Sequence, residues 1–401
     1  MQEHRLTLTP GMRRLLDYPK FRGRTRMLVL ETQYFFDRSW VRAGEALGWE
    51  VASVPSVMIG GLTQEQIRGL LTTVVEFKPD FILTSNYAGM DGLGLFARFF
   101  EDARIPYVSW FTDTPRMILY NRTVSANPYI VAATWERAYF RHFHDLGFEH
   151  VYFMPHATDP ALFNRPPADS WERDIAFVGI SMVGLAEEAW AKLAPFPEVT
   201  AALHEAFASG KVTPEQFAEG VETLVPPEVL AACDSSTRRN LELCLVYEGT
   251  RRSREHAVRA LGPLNVQVFG DPRWQAITDE AYGQIGYFDG LAGHYHSTAV
   301  NVNVTSLQMR SAVNQRVFDC PAAGGFLLTD YRSDLEEWFT LGEDVIVWRS
   351  LEELADQSRF YLGHPEIRQK VIDNARKTIH AGHYYVHRLT GLRAYLANIF
   401  G

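Results

Sequence analysis

The chain has 401 residues, too many for one ordinary hydrophobic core, so two domains are expected. Its formal net charge of −9 argues against the basic footprint of a nucleic-acid binder, while 46% hydrophobic and 22% charged residues are ordinary for a globular protein. Three scattered cysteines, Cys233, Cys244 and Cys320, exclude a disulfide framework or zinc knuckle and point to a reducing, cytoplasmic setting.

The first 26 residues carry basic side chains but no apolar core segment, so no signal peptide is expected. No run reaches the roughly 18 apolar residues of a transmembrane segment. The first half then alternates short apolar strands with amphipathic helices. MLVL (27–30) leads into a helix around RSWVRAGEALG, followed by EVASVPS, KPDFILTSN and a helix near LGLFARFFEDA. The strands PYVSWF and YIVAAT, a helix from WERAYF and the strand HVYFMP complete the series. Such alternation predicts βαβ units and a parallel sheet. A second series opens with DIAFVG (174–179), is interrupted by a long helical stretch over about 183–262, and resumes as NVQVFG, GYF, AVNVNVT, FLLTD and DVIVW. Proline and aspartate cluster in PHATDPALFNRPPADSWER between the two series, which sets the boundary there. The expected fold class is α/β, two Rossmann-like doubly wound domains: residues 1–165, and 166–385 with the helical insertion. Residues 386–401 form a helix that returns to the first domain. Folds of this kind bind ligands at the carboxyl ends of their strands.

The stretch NQRVFDCPAAGGFLLTD (314–330) carries most of the chemistry. At 100° per residue, Val313, Val317 and Cys320 face the core, while Arg316 and Asp319 lie together on another face. Pro321 and the Gly324–Gly325 pair end the helix. A surface Arg–Asp pair fits this spacing. So does a site for a nucleotide-diphosphate sugar, which needs a cation for its diphosphate and a carboxylate for its hydroxyls.

The segment MRSAVNQRVFDCPAAGGFLLTDYRSDLEEWFTLGEDVIVWRSLEEL, with YLGHPEIRQKVIDNARKTI after it, resembles the C-terminal part of the CgeB-like, spore-maturation glycosyltransferases. PYVSWFTDTP and HVYFMPHATDPALF carry a weaker likeness through the N-terminal half. That family is related to the group 1 glycosyltransferases of the GT-B fold. The resemblance implies transfer of a sugar from a nucleotide-sugar donor to an acceptor, whether glycan, protein or small molecule. The donor set it implies is Arg310, Asn314, Arg316, Asp319, Gly324, Gly325 and Tyr287, with the glycine turns GISM (Gly179, Ser181) and FGDP (Gly270). Arg316 would neutralise the leaving diphosphate. Ser311 stands where the group 1 Glu-x7-Glu pattern has its first glutamate, and Asp319 takes the place of the second. No D-x-D motif occurs, so no metal and no cofactor beyond the donor are expected.

Asp113, in WFTDTP, is the candidate base for the acceptor hydroxyl; a turn or N-cap aspartate before Pro115 has the same local pattern. The strand exits Gln33–Tyr34 and Ser85–Asn86 fit either ligand contact or loop hydrogen bonding, and His156 fits either a hinge or a cleft-facing role. His380, His383 and His387, like His294 and His296, give no metal spacing that survives the glycine at 382. The arginines of GTRRSREHAVR (249–259) read mostly as a solvated helix face, with diphosphate contact as the alternative. Two rival functions stay open: a nucleotide-sugar epimerase, and a binding protein without chemistry. A nicotinamide dehydrogenase lacks its G-x-G-x-x-G.

Overall fold

The computed structural model describes residues 8–56, 63–120, 124, 126–166 and 170–401. The head of the stretch read for a signal peptide (1–7) and part of the expected linker (167–169) lie outside the described residues.

The chain forms two compact units, residues 1–155 with 385–401, and residues 156–384. The first crossing therefore falls at Pro155–His156, ten residues before the expected boundary at 165. The reason is packing: Phe163, at the end of the short helix Pro160–Phe163, is buried in the unit 2 core formed by Tyr295, Val317, Phe318 and Ile379.

Unit 1 holds a parallel sheet in the order β2-β1-β3-β4-β5-β6. Its strands are β1 (Arg26–Glu31), β2 (Glu50–Pro55), β3 (Phe81–Ser85), β4 (Tyr107–Phe111), β5 (Ile130–Thr134) and β6 (His150–Phe153). β3, β4 and β5 are buried at every residue, as parallel strands covered on both faces require. The helix Gln64–Phe77, absent from the sequence-based expectation, opens with a capping box between Thr63 and Gln66. The helix Tyr385–Phe400 covers this unit, packing on the helix Phe35–Ala46 and stacking Tyr395 on Tyr152.

Unit 2 holds a second parallel sheet, ordered β12-β11-β10-β7-β8-β9. Its strands are β7 (Arg173–Val178), β8 (Gln267–Phe269), β9 (Ala281–Tyr282), β10 (Thr298–Asn303), β11 (Leu327–Asp330) and β12 (Ile346–Trp348). β9 lies upstream of the GYF run expected as a strand; Gly286 and Phe288 of that run are exposed and pair with nothing in the sheet. The helical insertion after β7 ends in the helix Ser235–Leu261. Its buried Val258 and Leu261 meet Phe177, Trp274, Val300 and Phe326 in the core.

Each order has a point where consecutive connections leave to opposite sides, between β1 and β3 in unit 1 and between β7 and β10 in unit 2. Doubly wound sheets open a crevice there, outside the carboxyl ends of the strands.

Candidate active site

In unit 2 one wall of the crevice is the turn after β7, which is locked to the turn after β8. Gly179 donates its N–H to Phe269 O (2.9 Å) and accepts from Trp274 Nε1 (2.8 Å). A Cβ on Gly270 would lie 2.2 Å from Gly179 O, so only glycine lets these two backbones touch. Ser181 donates its hydroxyl to Asp271 Oδ1 at 2.8 Å and its N–H to Asp271 Oδ2. Ser181 was expected to face the donor; its hydroxyl instead ties the two turns together, and the residue is buried. Met182 takes a left-handed φ of 68° where the helix Val183–Leu193 begins.

Two guanidiniums converge on this turn. Arg316 opens the helix Arg316–Ala322 and reaches Gly179, its Nη2 lying 3.4 Å from where a Cβ there would sit. Arg254, from the helix Ser235–Leu261, is only 7% exposed and donates to Ile180 O at 2.7 Å. Its Nε is buried with no hydrogen-bond partner among the described residues. Burial and then the like charge of Arg316 pull Arg254 down to about 9, while Asp330 and Asp271 act in the opposite direction. Those two carboxylates are committed elsewhere: Asp330 to Arg332 (3.0 Å) and the Thr305 hydroxyl (2.8 Å), Asp271 to Ser181. Among the described residues neither Arg254 nor Arg316 has an ion-pair partner. Two guanidiniums, one of them dry, thus lie together at this turn while the nearest carboxylates are bonded to other groups.

The expectation of a mostly solvated face over 249–259 holds for Arg252 and Arg259, which pair with Glu248 and Glu255; Arg251 pairs with both but is half-buried, and Arg254 is buried, which favours the alternative of a ligand contact. A signal was present: Arg254 falls on the stripe Thr250, Arg254, Ala257, Val258 and Leu261, which is buried throughout.

Asp319 departs from its expected role. It is fully buried, and its Oδ2 accepts from the hydroxyl of the half-buried Tyr287 at 3.0 Å. Burial pushes the carboxyl up to about 8, against the downward pull of the Thr158 and Tyr287 hydroxyls and of Arg316. Asn314 is also buried, bonding Asn303 Oδ1 (2.9 Å) and accepting from Arg316 N (3.2 Å), so it sets the start of the helix. Val313 precedes that helix and Pro321 lies inside it, both contrary to the expected bounds. Gly324 and Gly325 are buried at the opposite end of the helix. Gly325 donates to Cys320 O (3.0 Å) and Gly324, at φ 77°, to Pro321 O (2.9 Å), a Schellman closure. Their amides are thus unavailable to a diphosphate; a Cβ on Gly325 would meet Tyr295 O at 2.7 Å, which explains the glycine. Arg310 is exposed between β10 and this helix.

In unit 1 Asp113 follows β4, half-buried, and its Oδ2 accepts from Asn86 Nδ2 at 2.9 Å. Asn86 Oδ1 in turn accepts from Thr112 N at 2.9 Å. The residue capping the helix that starts at Pro115 is Thr114, so Asp113 is not that cap. Ser85 meets the Thr32 hydroxyl at 2.8 Å, and Tyr34 stacks on Phe36. Gln33, Asn86 and Tyr87 all have φ above 45°, which concentrates strained backbone at this carboxyl edge. Asp37, which the sequence did not single out, clamps the turn after β1 by accepting from Thr32 N at 2.7 Å; burial raises it to about 6.

The histidines serve packing. His156 is buried where unit 2 begins; His383 stacks on Phe318 and Phe339; His294, packed on Phe269, is driven down to about 4 by burial; His296 bonds Pro166 O. No group of three potential metal ligands occurs among the described residues. No helix there is long and apolar enough to cross a membrane.

Residues 251–394, about a third of the chain, match the family described as glycosyl transferase-like. That segment contains Arg254, Arg316 and Asp319. No curated protein matches the sequence. Among solved structures, the sucrose-phosphate synthase of Thermosynechococcus elongatus aligns over 93% of this chain and 98% of its own, at 10% identity and a TM-score of 0.53. Anabaena HepE in complex with UDP-glucose aligns over 93% and 99% at 11% identity and 0.49, and a glycosyltransferase from Rickettsia africae over 94% and 99% at 10% and 0.47. The fold is GT-B, two Rossmann-like parallel-sheet units in one chain.

Proposed function

We propose that the protein is a glycosyltransferase that takes a nucleotide-diphosphate sugar on unit 2 and passes the sugar to an acceptor hydroxyl or similar nucleophile. The observation that carries this reading is the pair Arg254 and Arg316, two guanidiniums with no ion-pair partner among the described residues, at the β7–β10 crevice and inside the segment that matches a glycosyl transferase-like family. We place the chain with the CgeB-like group on the residues 309–354, and in a reducing compartment.

In this reading the acceptor oxygen attacks the anomeric carbon as the bond from that carbon to the diphosphate oxygen breaks. The acceptor proton passes to Asp113, whose carboxylate is oriented by Asn86. The leaving diphosphate gains charge, which Arg316 and Arg254 balance in place of a metal ion. Asp319 acts one step back, fixing the helix that presents Arg316.

A thermal-shift screen against nucleoside diphosphates, with and without magnesium, tests the reading. A ligand at about 100 times its Kd raises stability by roughly 2.7 kcal/mol. A shift with one base, independent of magnesium and abolished in Arg316→Ala, is the expected result. No shift with any nucleotide would leave a GT-B protein without a donor site and overturn the assignment.

A further inference from the structure

Unit 1 carries a groove of about 710 Å³, within the range of small-molecule sites, that plays no part in the chemistry above. Its walls include Arg14, Lys20, Arg22 and Arg104, which stand just before or beside the amino ends of β1 and β4. Asp113 stands beyond the carboxyl end of β4. Five residues at about 3.3 Å each separate the two edges by roughly 15–20 Å. A ligand in the groove therefore touches no group assigned to sugar transfer.

The charge of the groove is opposite to that of the chain. Five cationic side chains line it against two carboxylate side chains, in a protein of net charge −9. Asp102 is paired with Arg13 at 3.6 Å. Among the described residues, Arg14, Arg22 and Arg104 have no ion-pair partner. Lys20 is built in rather than draped over the surface. It is 9% exposed, lies 3.8 Å from the Tyr18 ring centroid, and donates to Leu16 O (3.0 Å) and Ala103 O (3.2 Å), which fastens two walls together. The Tyr18 hydroxyl is fixed on Pro79 O at 2.6 Å. Tyr129 and Phe400, with ring centroids 5.1 Å apart, add a flat apolar wall.

We propose that this groove is an anion site for a phosphate group attached to a flat or apolar body, separate from the donor site and serving as an effector or anchoring site. The arginines supply fork-shaped donors for phosphate oxygens, and the rings cover the body. Such a phosphate comes either from a soluble ester or from the headgroup of a lipid. The exposed Leu15, 48% accessible beside Arg14, suits both.

Two arms test this. In the first, pyrophosphate is titrated calorimetrically into wild type, Arg22→Glu/Arg104→Glu and Arg316→Ala. In the second, the same proteins are floated with phosphatidylcholine vesicles containing phosphatidic acid. Both arginines are exposed, and Arg22→Gln/Arg104→Gln serves as the second variant should charge reversal impair folding. The expected result is at least a tenfold loss of binding in the arginine double variant, with the site retained in Arg316→Ala. Loss in the soluble arm identifies a soluble phosphate, and loss confined to vesicles a lipid phosphate. Unchanged binding in the double variants, or no binding by wild type in either arm, overturns the proposal. Loss of pyrophosphate binding in Arg316→Ala alone would support the donor site while removing this one, so the two readings fail separately.

Discussion

Arg254→Met separates a functional cation from a structural one. The side chain is enclosed, and burial, then the like charge of Arg316, draws its pKa well below the usual guanidinium value, to about 9. At about 1.4 kcal/mol per unit, that is a few kcal/mol against the folded state. Because a guanidinium does not deprotonate near neutrality, the cost appears as lost stability rather than lost charge. One hydrogen bond to Ile180 O returns only about 1.5–3 kcal/mol. Methionine fills a similar volume without the charge, so the unliganded variant is expected to be as stable as wild type or about 1–3 kcal/mol more stable. Nucleotide binding should weaken by roughly 10²-fold. Urea unfolding with and without a saturating nucleoside diphosphate reads both quantities. A variant that is markedly less stable yet still gains full stabilisation from nucleotide would make Arg254 a pin for the 179–181 turn and nothing more.

Gly270→Ala puts a methyl group 2.2 Å from Gly179 O and 2.8 Å from the Trp274 ring. Overpacking plus two strained hydrogen bonds should cost about 2–5 kcal/mol, against under about 0.5 for Gly283→Ala, where nothing lies within 4 Å. Equal melting temperatures would refute the contact. Asp319 is held protonated, with a folded value of about 8 against 3.8, so its contribution is full below about pH 4 and is lost as pH rises through 8. The stability of Asp319→Asn relative to wild type should therefore rise between pH 6 and 8, by about 1.4 kcal/mol per unit at most, and a flat difference would contradict the burial. Asp113→Asn is expected to reduce the transfer rate by 10²-fold or more, on the order typical of a lost general base, with an unchanged melting temperature; an undiminished rate would move the base elsewhere.

What could be read from the sequence was what depends on neighbours along the chain. Buried parallel strands such as FILTS and YVSWF announce themselves as apolar runs, and eleven of the twelve strands lie within or overlap such runs. The helix Gln64–Phe77 was missed although Thr63 and Gln66 spell its cap. Roles that depend on distant partners were not legible. Ser181 looks like a ligand-facing turn residue until Asp271 arrives from β8 to take its hydroxyl. Asp319 looks like a free carboxylate until Tyr287 closes over it. The glycine pair fits both a helix end and a donor contact in sequence, because closure of a helix and contact with a ligand demand the same residue, and only the first is seen in its hydrogen bonds.

The two crossings of the chain, at 155–156 and 384–385, fix an order of assembly. Unit 2 is contiguous and can fold as soon as it has been synthesised, whereas unit 1 is interrupted by the whole of unit 2. Its sheet is complete by Phe153, yet the helix that covers the Phe35–Ala46 helix begins only at Tyr385. At about 10 residues per second, translation leaves that face uncovered for roughly 20–25 s. Leu389, Leu392 and Leu396, fully buried when the helix docks, are therefore the residues by which the first sheet to be made becomes the last to be sealed.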